Sequence, residues 1–120
     1  MRVVIVDDHT VVRKSLALLL AQEPDMDIVG EAANGKHAID LVRAVTPDIV
    51  LMDINMPVMN GLEATRAICT DCPGVRVIGL SMYEHAEQAQ PMLDAGAVGY
   101  VSKTDAPEVL LATIRRCGTA

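Results

Sequence analysis

The stretch Val3-Val4-Ile5-Val6-Asp7-Asp8 decides the fold: a four-residue apolar run closed by two adjacent carboxylates. The same arrangement returns at Ile49-Val50-Leu51-Met52-Asp53. Short Val/Ile/Leu-rich runs of this kind read as parallel strands buried on both faces. Parallel strands all point the same way, so Asp7, Asp8 and Asp53 share the carboxyl edge, where open α/β sheets bind their ligands. Gathered there the acids repel, each pair by on the order of 4 kcal/mol at roughly 4 Å and an effective dielectric of about 20. Such a cluster persists where a positive charge sits in it. The sequence therefore points to a divalent-metal or phosphate site.

Outward from these two strands, strand and helix alternate. After the first strand, Val3 to Asp7, the residues Val11, Val12, Ser15, Leu16, Leu19 and Leu20 form a helical stripe ended by Pro24. Ile28 to Ala32 reads as the second strand. Asn34-Gly35 turns into a helix with Ala38, Ile39, Leu41 and Val42 inward, stopped by Pro47 just before the third strand. Asn60-Gly61 opens the third helix, and Val75 to Ser81 is the fourth strand. A helix from about Glu84 to Ala95 is closed by Gly96 as a C′ glycine, and Gly99 to Ser102 is a short fifth strand. Asp105-Ala106-Pro107-Glu108 has the form of a cap, an early-turn proline and a returning glutamate, after which Val109, Leu110, Ala112 and Ile114 face inward. Five strands alternating with five helices predict an α/β fold, a doubly wound five-stranded parallel sheet with five flanking helices.

Bulk properties narrow the function. The 120 residues make one domain around a single core, residues 1–120. With no Trp or Phe, only Tyr83 and Tyr100, and seven Met, that core is aliphatic with methionine as filler. The formal net charge of −6 argues against nucleic-acid binding by this chain alone. No apolar stretch reaches the length of a membrane span, and the first strand begins where a signal peptide would lie, so a cytoplasmic protein is expected. Cys69-Thr70-Asp71-Cys72 has the C-x-x-C spacing of redox and zinc sites. It follows the helical positions Leu62, Ala64, Ala67 and Ile68 and so falls at a helix C-terminus, the wrong pole to stabilise a thiolate. Zinc lacks a second pair.

The functional candidates are what each strand delivers to its carboxyl end: Asp7 and Asp8 from the first, Asp53 from the third, Ser81 from the fourth and Lys103 from the fifth. The second strand ends in Ala32-Ala33 and delivers nothing ionic. Mg²⁺ takes hard oxygen ligands and keeps several waters. Asp8 and Asp53 can ligate it directly, Asp7 through water, with the Asn55 carbonyl as a further oxygen. Lys103 and Ser81 suit phosphoryl oxygens, one as a point charge and one as a hydrogen-bond donor. A carboxylate beside Mg²⁺ and Lys can attack phosphorus and form an aspartyl phosphate. Taken singly, each residue has a plainer role: an Asp after a strand commonly caps the next helix, and a lone Lys is commonly a solvated surface group. Five such residues on four strand ends outweigh those readings.

These pieces resemble the receiver domain of two-component response regulators over the whole chain. The matching stretches are Val4-Ile5-Val6-Asp7-Asp8-His9, Asp53-Ile54-Asn55-Met56-Pro57-Val58-Met59-Asn60-Gly61, Leu80-Ser81, Asp94-Ala95-Gly96-Ala97 and Gly99-Tyr100-Val101-Ser102-Lys103. Val29-Gly30-Glu31-Ala32 and the run Asp94 to Lys103 are similar to the NarL/LuxR-type subfamily. The resemblance implies the flavodoxin-like strand order 2-1-3-4-5 and a signalling switch, not an enzyme acting on outside substrates. It implies that Asp53 receives phosphate from a sensor histidine kinase, and that Asp7, Asp8, Asp53 and the Asn55 carbonyl hold Mg²⁺. Ser81 and Lys103 would read the phosphoryl group, and Tyr100 would turn inward as Ser81 moves. It further implies homodimer formation on phosphorylation and DNA binding only through a C-terminal helix-turn-helix output domain, expected to lie outside this chain.

Two departures stand out. Thr104 follows Lys103 where many receivers have a cis proline, and a cis Lys103–Thr104 bond would cost roughly 2.5–4 kcal/mol. Bulky Met82 follows Ser81 where many have a small residue. His9 reads as a loop residue at the start of the first helix, since Mg²⁺ prefers oxygen. A haloacid-dehalogenase-type phosphatase would need a second Asp two residues after Asp53, where Asn55 stands. A degenerate receiver serving only as a dimerisation module would not need the intact acids, Ser81 and Lys103.

Overall fold

The computed structural model describes residues 1–54, 56, 59–81 and 86–118, with the side chains of all of these except 86–89. Asn55 and Met82, singled out above, lie outside the described residues. The elements run β1 (Arg2–Val6), α1 (Thr10–Ala21), β2 (Asp27–Ala32), α2 (Gly35–Val45), β3 (Ile49–Asp53), α3 (Gly61–Asp71), β4 (Arg76–Ser81), α4 (Ala86–Asp94), β5 (Gly99–Ser102) and α5 (Pro107–Gly118). The strands pair in parallel in the order β2-β1-β3-β4-β5, the expected flavodoxin-like arrangement.

Alternation along the strands sorts the core into two layers, because successive strand side chains point to opposite faces. Val4, Val6, Val50, Met52 and Val77 pack with Ala38, Ile39 and Val42 of α2, Ala64 and Ile68 of α3, and Met92 of α4. Val3, Ile5, Leu51, Ile78, Leu80 and Val101 pack with Leu20 of α1 and with Leu110 and Ile114 of α5. Methionine does act as filler: Met26, Met52, Met56 and Met92 are buried.

Local chemistry fixes the helix ends. Asn34 and Asn60 cap α2 and α3, accepting from the N–H groups of His37 at 2.8 Å and Glu63 at 2.9 Å. Gly96 ends α4 at φ +116°. Its N–H donates to the Leu93 carbonyl and that of Ala97 to the Met92 carbonyl, the paired bonds of a Schellman cap.

Several expectations are corrected at the helix surfaces. Val11 and Ser15 on α1 are exposed, so the buried stripe there runs through Leu16, Ala17, Leu19 and Leu20. Val109 and Ala112 on α5 are also exposed; its inner face is Leu110, Thr113, Ile114 and Cys117, which keeps the 3.6-residue period at the expense of one apolar position. Asp105 turns back toward β5, accepting from the Ser102 N–H at 3.1 Å. The Lys103–Thr104 bond is trans. Cys69 lies in the last turn of α3 and Cys72 is its C-cap residue, both half-buried free thiols at the helix C-terminus.

One glycine governs how α3 meets the sheet. The Gly61 N–H donates to the Ile54 carbonyl at 2.8 Å, and a Cβ at this position would stand 2.2 Å from the Asp53 carbonyl oxygen and 2.7 Å from Ile54 Cα. Both obstacles are backbone, which cannot swing aside. Gly61→Ala is therefore expected to destabilise the domain by about 2–3 kcal/mol. Urea unfolding should show a lower midpoint with an unchanged slope; a midpoint equal to that of the parent would mean that α3 docks more loosely than this contact requires.

Candidate metal and phosphoryl site

Strand register brings the acids together. β1 and β3 are neighbours with Val6 opposite Met52, so Asp7 and Asp53 emerge side by side at the next step. Both continue the stripe of the α1/α5 layer, Asp7 following Ile5 and Asp53 following Leu51, and Lys103 continues it after Val101. Asp7 is completely buried and Asp53 nearly so. Lys103, expected at the surface if it stood alone, has a side chain only 6% exposed. Its ammonium lies 2.5 Å from Asp7 Oδ2 and 3.3 Å from Asp53 Oδ1.

The first acid is held on every side. The Asp7 N–H donates to the Ala32 carbonyl at 3.0 Å, and its Oδ1 accepts from the His9 N–H at 2.8 Å. Its carbonyl accepts from Arg13 Nη1 at 2.6 Å. Neither Asp7 nor Asp8 is the helix cap: His9 occupies that position on α1, without a side-chain capping bond. The exposed His9 ring instead brings Nδ1 to 3.3 Å from Asp7 Oδ1 and 3.1 Å from Asp8 Oδ1.

Burial pushes the Asp53 carboxyl up to about 6. The nearby charge of Asp7 and a hydrogen bond with Asp8 act in the same direction, while Lys103 pulls it back down. Counting Asp7, Asp8 and Asp53 against Lys103 gives three negative charges to one positive, a residual of −2. That residual suits one divalent cation. Ligand atoms of Asp7, Asp8, His9 and Asp53 all lie within 4.8 Å of one another, close to the separation of about 4 Å between opposite oxygens around Mg²⁺. Asp7 Oδ2 and Asp8 Oδ1 are buried without a hydrogen bond, facing the Lys103 ammonium and the His9 ring respectively, with Asp53 close by. Oxygens of that kind are what a hard cation uses, so the residues fit the ion.

Ser81 ends β4 at this edge and Tyr100 stands further back on β5, opposite Gly79, both on the opposite strand parity to the acids. Ser81 is fully buried, and its carbonyl accepts the Lys103 N–H at 2.6 Å. Tyr100 is half-buried, its ring edge 3.4 Å from where a Gly79 Cβ would stand, and packs onto the layer containing Met92.

Five parallel strands with an acid cluster, able to hold a metal ion, on their carboxyl edge define a class: small doubly wound α/β domains with a cation-competent pocket. Residues 3–115 match the response regulator receiver domain family, and the chain belongs to it. It is 42% identical over 113 residues to the uncharacterized transcriptional regulatory protein YhcZ of Bacillus subtilis, covering 94% of this chain and 53% of that protein. It is 36% identical to the nitrate/nitrite response regulator protein NarL of Escherichia coli, covering 95% and 53% respectively. Among solved structures, a LuxR-family two-component response regulator from Aurantimonas sp. superposes with a TM-score of 0.93 at 37% identity, over 98% of this chain and 84% of that one. The response regulator domain of Thermotoga maritima CheB gives 0.92 at 32% identity, over 100% and 97%. The chain is thus a receiver domain of a two-component response regulator of the NarL/LuxR type, a family of signalling regulators. It spans about half the length of the curated relatives it matches. Among the described residues no helix is long and apolar enough to cross a membrane.

The structure brings Asp7, Asp8, Asp53 and Lys103 into one cluster and sets Ser81 against it through the Lys103 N–H. Arg13 was not singled out from the sequence, nor was its partner Glu31, whose carboxylate lies 3.1 Å from Arg13 Nε. The second strand therefore does contribute a charge, one residue before Ala32 and through an intermediary. An Arg at helical reach from an acid pair, opposite an acid in a neighbouring strand, is a faint sequence signal.

The raised Asp53 carboxyl has a consequence for stability. An acid that binds its proton more tightly when folded favours folding at low pH and loses that contribution as pH rises from about 4 through 6. Asp53→Asn removes this penalty. With chelator present, the variant is expected to be more stable than the parent by about 1–2 kcal/mol at pH 7.5, after allowance for solvent screening. That gap should close toward pH 4 in thermal unfolding, and a gap independent of pH would contradict this account of Asp53.

Proposed function

We propose that this domain is a phosphorylation-dependent switch: Asp53 accepts a phosphoryl group from a sensor histidine kinase, and Ser81 and Tyr100 respond. The observation that carries this reading is the seating of Asp53 beside Lys103 on the acid-lined carboxyl edge. Asp7, Asp8 and Asp53, with the carbonyl of Asn55, would hold Mg²⁺. When bound, that ion supplies positive charge to the phosphoryl oxygens.

The chain's own groups do the rest. With its pKa near 6, Asp53 is predominantly ionised at neutral pH and available as the attacking oxygen. Its oxygen bonds to phosphorus as the phosphorus–nitrogen bond of the kinase's phosphohistidine breaks. Lys103 already faces Asp53 and is positioned for an oxygen of the incoming group. Ser81 donates to another, and its displacement makes room for Tyr100 to turn inward from its half-buried position.

Phosphorylation adds about −1.5 to −2 charges, and charge-assisted hydrogen bonds are worth roughly 1.5–3 kcal/mol each. Two of them bias the domain by about 3–6 kcal/mol, while moving a two-state population from 1:99 to 99:1 takes about 5.5 kcal/mol. The site can drive most of a switch with little surplus. Output would be transcriptional, through a C-terminal helix-turn-helix domain, with homodimer formation on phosphorylation and action in the cytoplasm. The domain would catalyse only its own phosphorylation and dephosphorylation.

Intact mass after incubation with acetyl phosphate and Mg²⁺ tests the acceptor. One added phosphoryl group is expected, absent with chelator and absent in Asp53→Asn; a gain retained in that variant would mean that another residue is the acceptor. For the switch, Ser81→Ala is expected to gain the same mass while the Tyr100 ring resonances stop responding to phosphorylation in NMR spectra. An undiminished Tyr100 response would remove Ser81 from the switch.

A further inference from the structure

The Asp7–Asp8 peptide is clamped from outside the acid cluster. Arg13 lies one turn into α1, its N–H closing the first helical bond to the His9 carbonyl at 2.9 Å. Helical side chains lean toward the N-terminus, which carries the Arg13 guanidinium back over the start of α1. There Nη1 donates to the Asp7 carbonyl at 2.6 Å and Nε to Glu31 Oε1 at 3.1 Å. The Arg13 side chain is only 14% exposed. Glu31 is held in turn by Lys14, whose Nζ lies 3.2 and 3.3 Å from its two oxygens. The carbonyl that Arg13 grips belongs to the peptide joining the two acids. Fixing that peptide plane fixes the direction in which the Asp8 side chain leaves the backbone. Asp8 needs the help: its side chain is a quarter exposed, and the groups around it are the exposed His9 ring and the Asp53 carboxyl, itself an acid.

We infer that Arg13 is a positioning residue, which, braced by Glu31, orients the Asp7–Asp8 peptide and so sets the affinity of the pocket for a divalent cation. This rests on the metal-binding reading above. The sign of the effect separates orientation from charge. Arg13 is a cation near a cation site, so through-space repulsion alone predicts tighter Mg²⁺ binding when it is removed. Orientation predicts weaker binding. Lysine keeps the charge but lacks the planar fork that reaches the Asp7 carbonyl and Glu31 together.

The test is calorimetric titration of the 120-residue chain with MgCl₂ at pH 7.5 for the parent, Arg13→Ala and Arg13→Lys, alongside thermal unfolding of each in chelator. Loss of groups that orient metal ligands typically costs 10–100-fold in affinity. Arg13→Ala is expected to bind Mg²⁺ about tenfold more weakly, and Arg13→Lys to recover only part of that loss. Tighter binding by Arg13→Ala, or parental affinity in Arg13→Lys, would overturn the inference. So would a lowered Tm in both variants with an unchanged Mg²⁺ Kd, since that is the mark of a merely structural contact. Absence of Mg²⁺ binding by the parent chain would instead overturn the metal-site reading beneath it.

Discussion

A buried ammonium between two buried carboxylates holds the carboxyl edge together. The Lys103, Asp7 and Asp53 side chains are 6%, 0% and 4% exposed, so none is neutralised by bulk water. Removing Lys103 would leave both acids uncompensated, a loss that for a buried ion pair typically costs about 3–5 kcal/mol, whereas removing Asp53 leaves Lys103 paired with Asp7. The three groups come from β1, β3 and the end of β5, across the middle of the sheet. Their meeting is therefore a condition on the whole β1-β3-β4-β5 arrangement. Any register slip of one residue would turn an acid or the lysine to the opposite face.

Much of this was legible in the sequence, because two simple periods carry it. Apolar runs ending in Asp7 and Asp53 marked buried parallel strands, and the glycines and asparagines at 34–35, 60–61 and 96 marked helix ends where caps and a Schellman motif are found. The acid cluster followed from strand polarity alone. Misplaced were helix faces, where hydrophobicity and burial part company: Val11 is 79% exposed and Val109 45%, while Thr113 is buried. A helix face is set by what it packs against, and Val11, in the first turn of α1, lines an open cavity rather than the packed layer. Arg13 and Glu31 escaped notice for a related reason. Their partnership spans 18 residues of sequence, and its target is a backbone carbonyl, which leaves no trace in side-chain pattern.

Burial of the pocket works in two directions. It strengthens the pull of Lys103 on a neighbouring anion, since electrostatic interactions grow as the dielectric falls. It also pushes Asp53 up to about 6, which opposes the ionised form that a nucleophile needs. Lys103 offsets part of that rise. Under the proposed function, the pocket would keep a carboxylate desolvated enough to react and paired enough to remain charged near neutrality. A more exposed aspartate would be ionised more readily but would sit among water that competes for any incoming phosphoryl oxygen.

Strand parity separates the charged cluster from the residues proposed to respond to it. Asp7, Asp53 and Lys103 continue the α1/α5 layer, whereas Ser81 and Tyr100 belong to the parity of the layer built with α2, α3 and α4. Under the proposed function, a change in charge at Asp53 reaches that side at the carboxyl edge, where residues of the two faces meet. The 2.6 Å hydrogen bond from the Lys103 N–H to the Ser81 carbonyl spans that boundary at the carboxyl edge, tying the residue that faces the acids to the residue that ends β4. Gly79 lies two residues earlier on β4, where a side chain would press on Met92 and the Tyr100 ring. The β4–β5 edge therefore combines a backbone link at its end with Met92 and the Tyr100 ring packed closely over Gly79. Under the proposed function, the absence of a side chain at Gly79 leaves the Tyr100 ring to be positioned by Met92 and by the residue that ends β4, so a local electrostatic event at the edge can be read as a side-chain rearrangement on the other face.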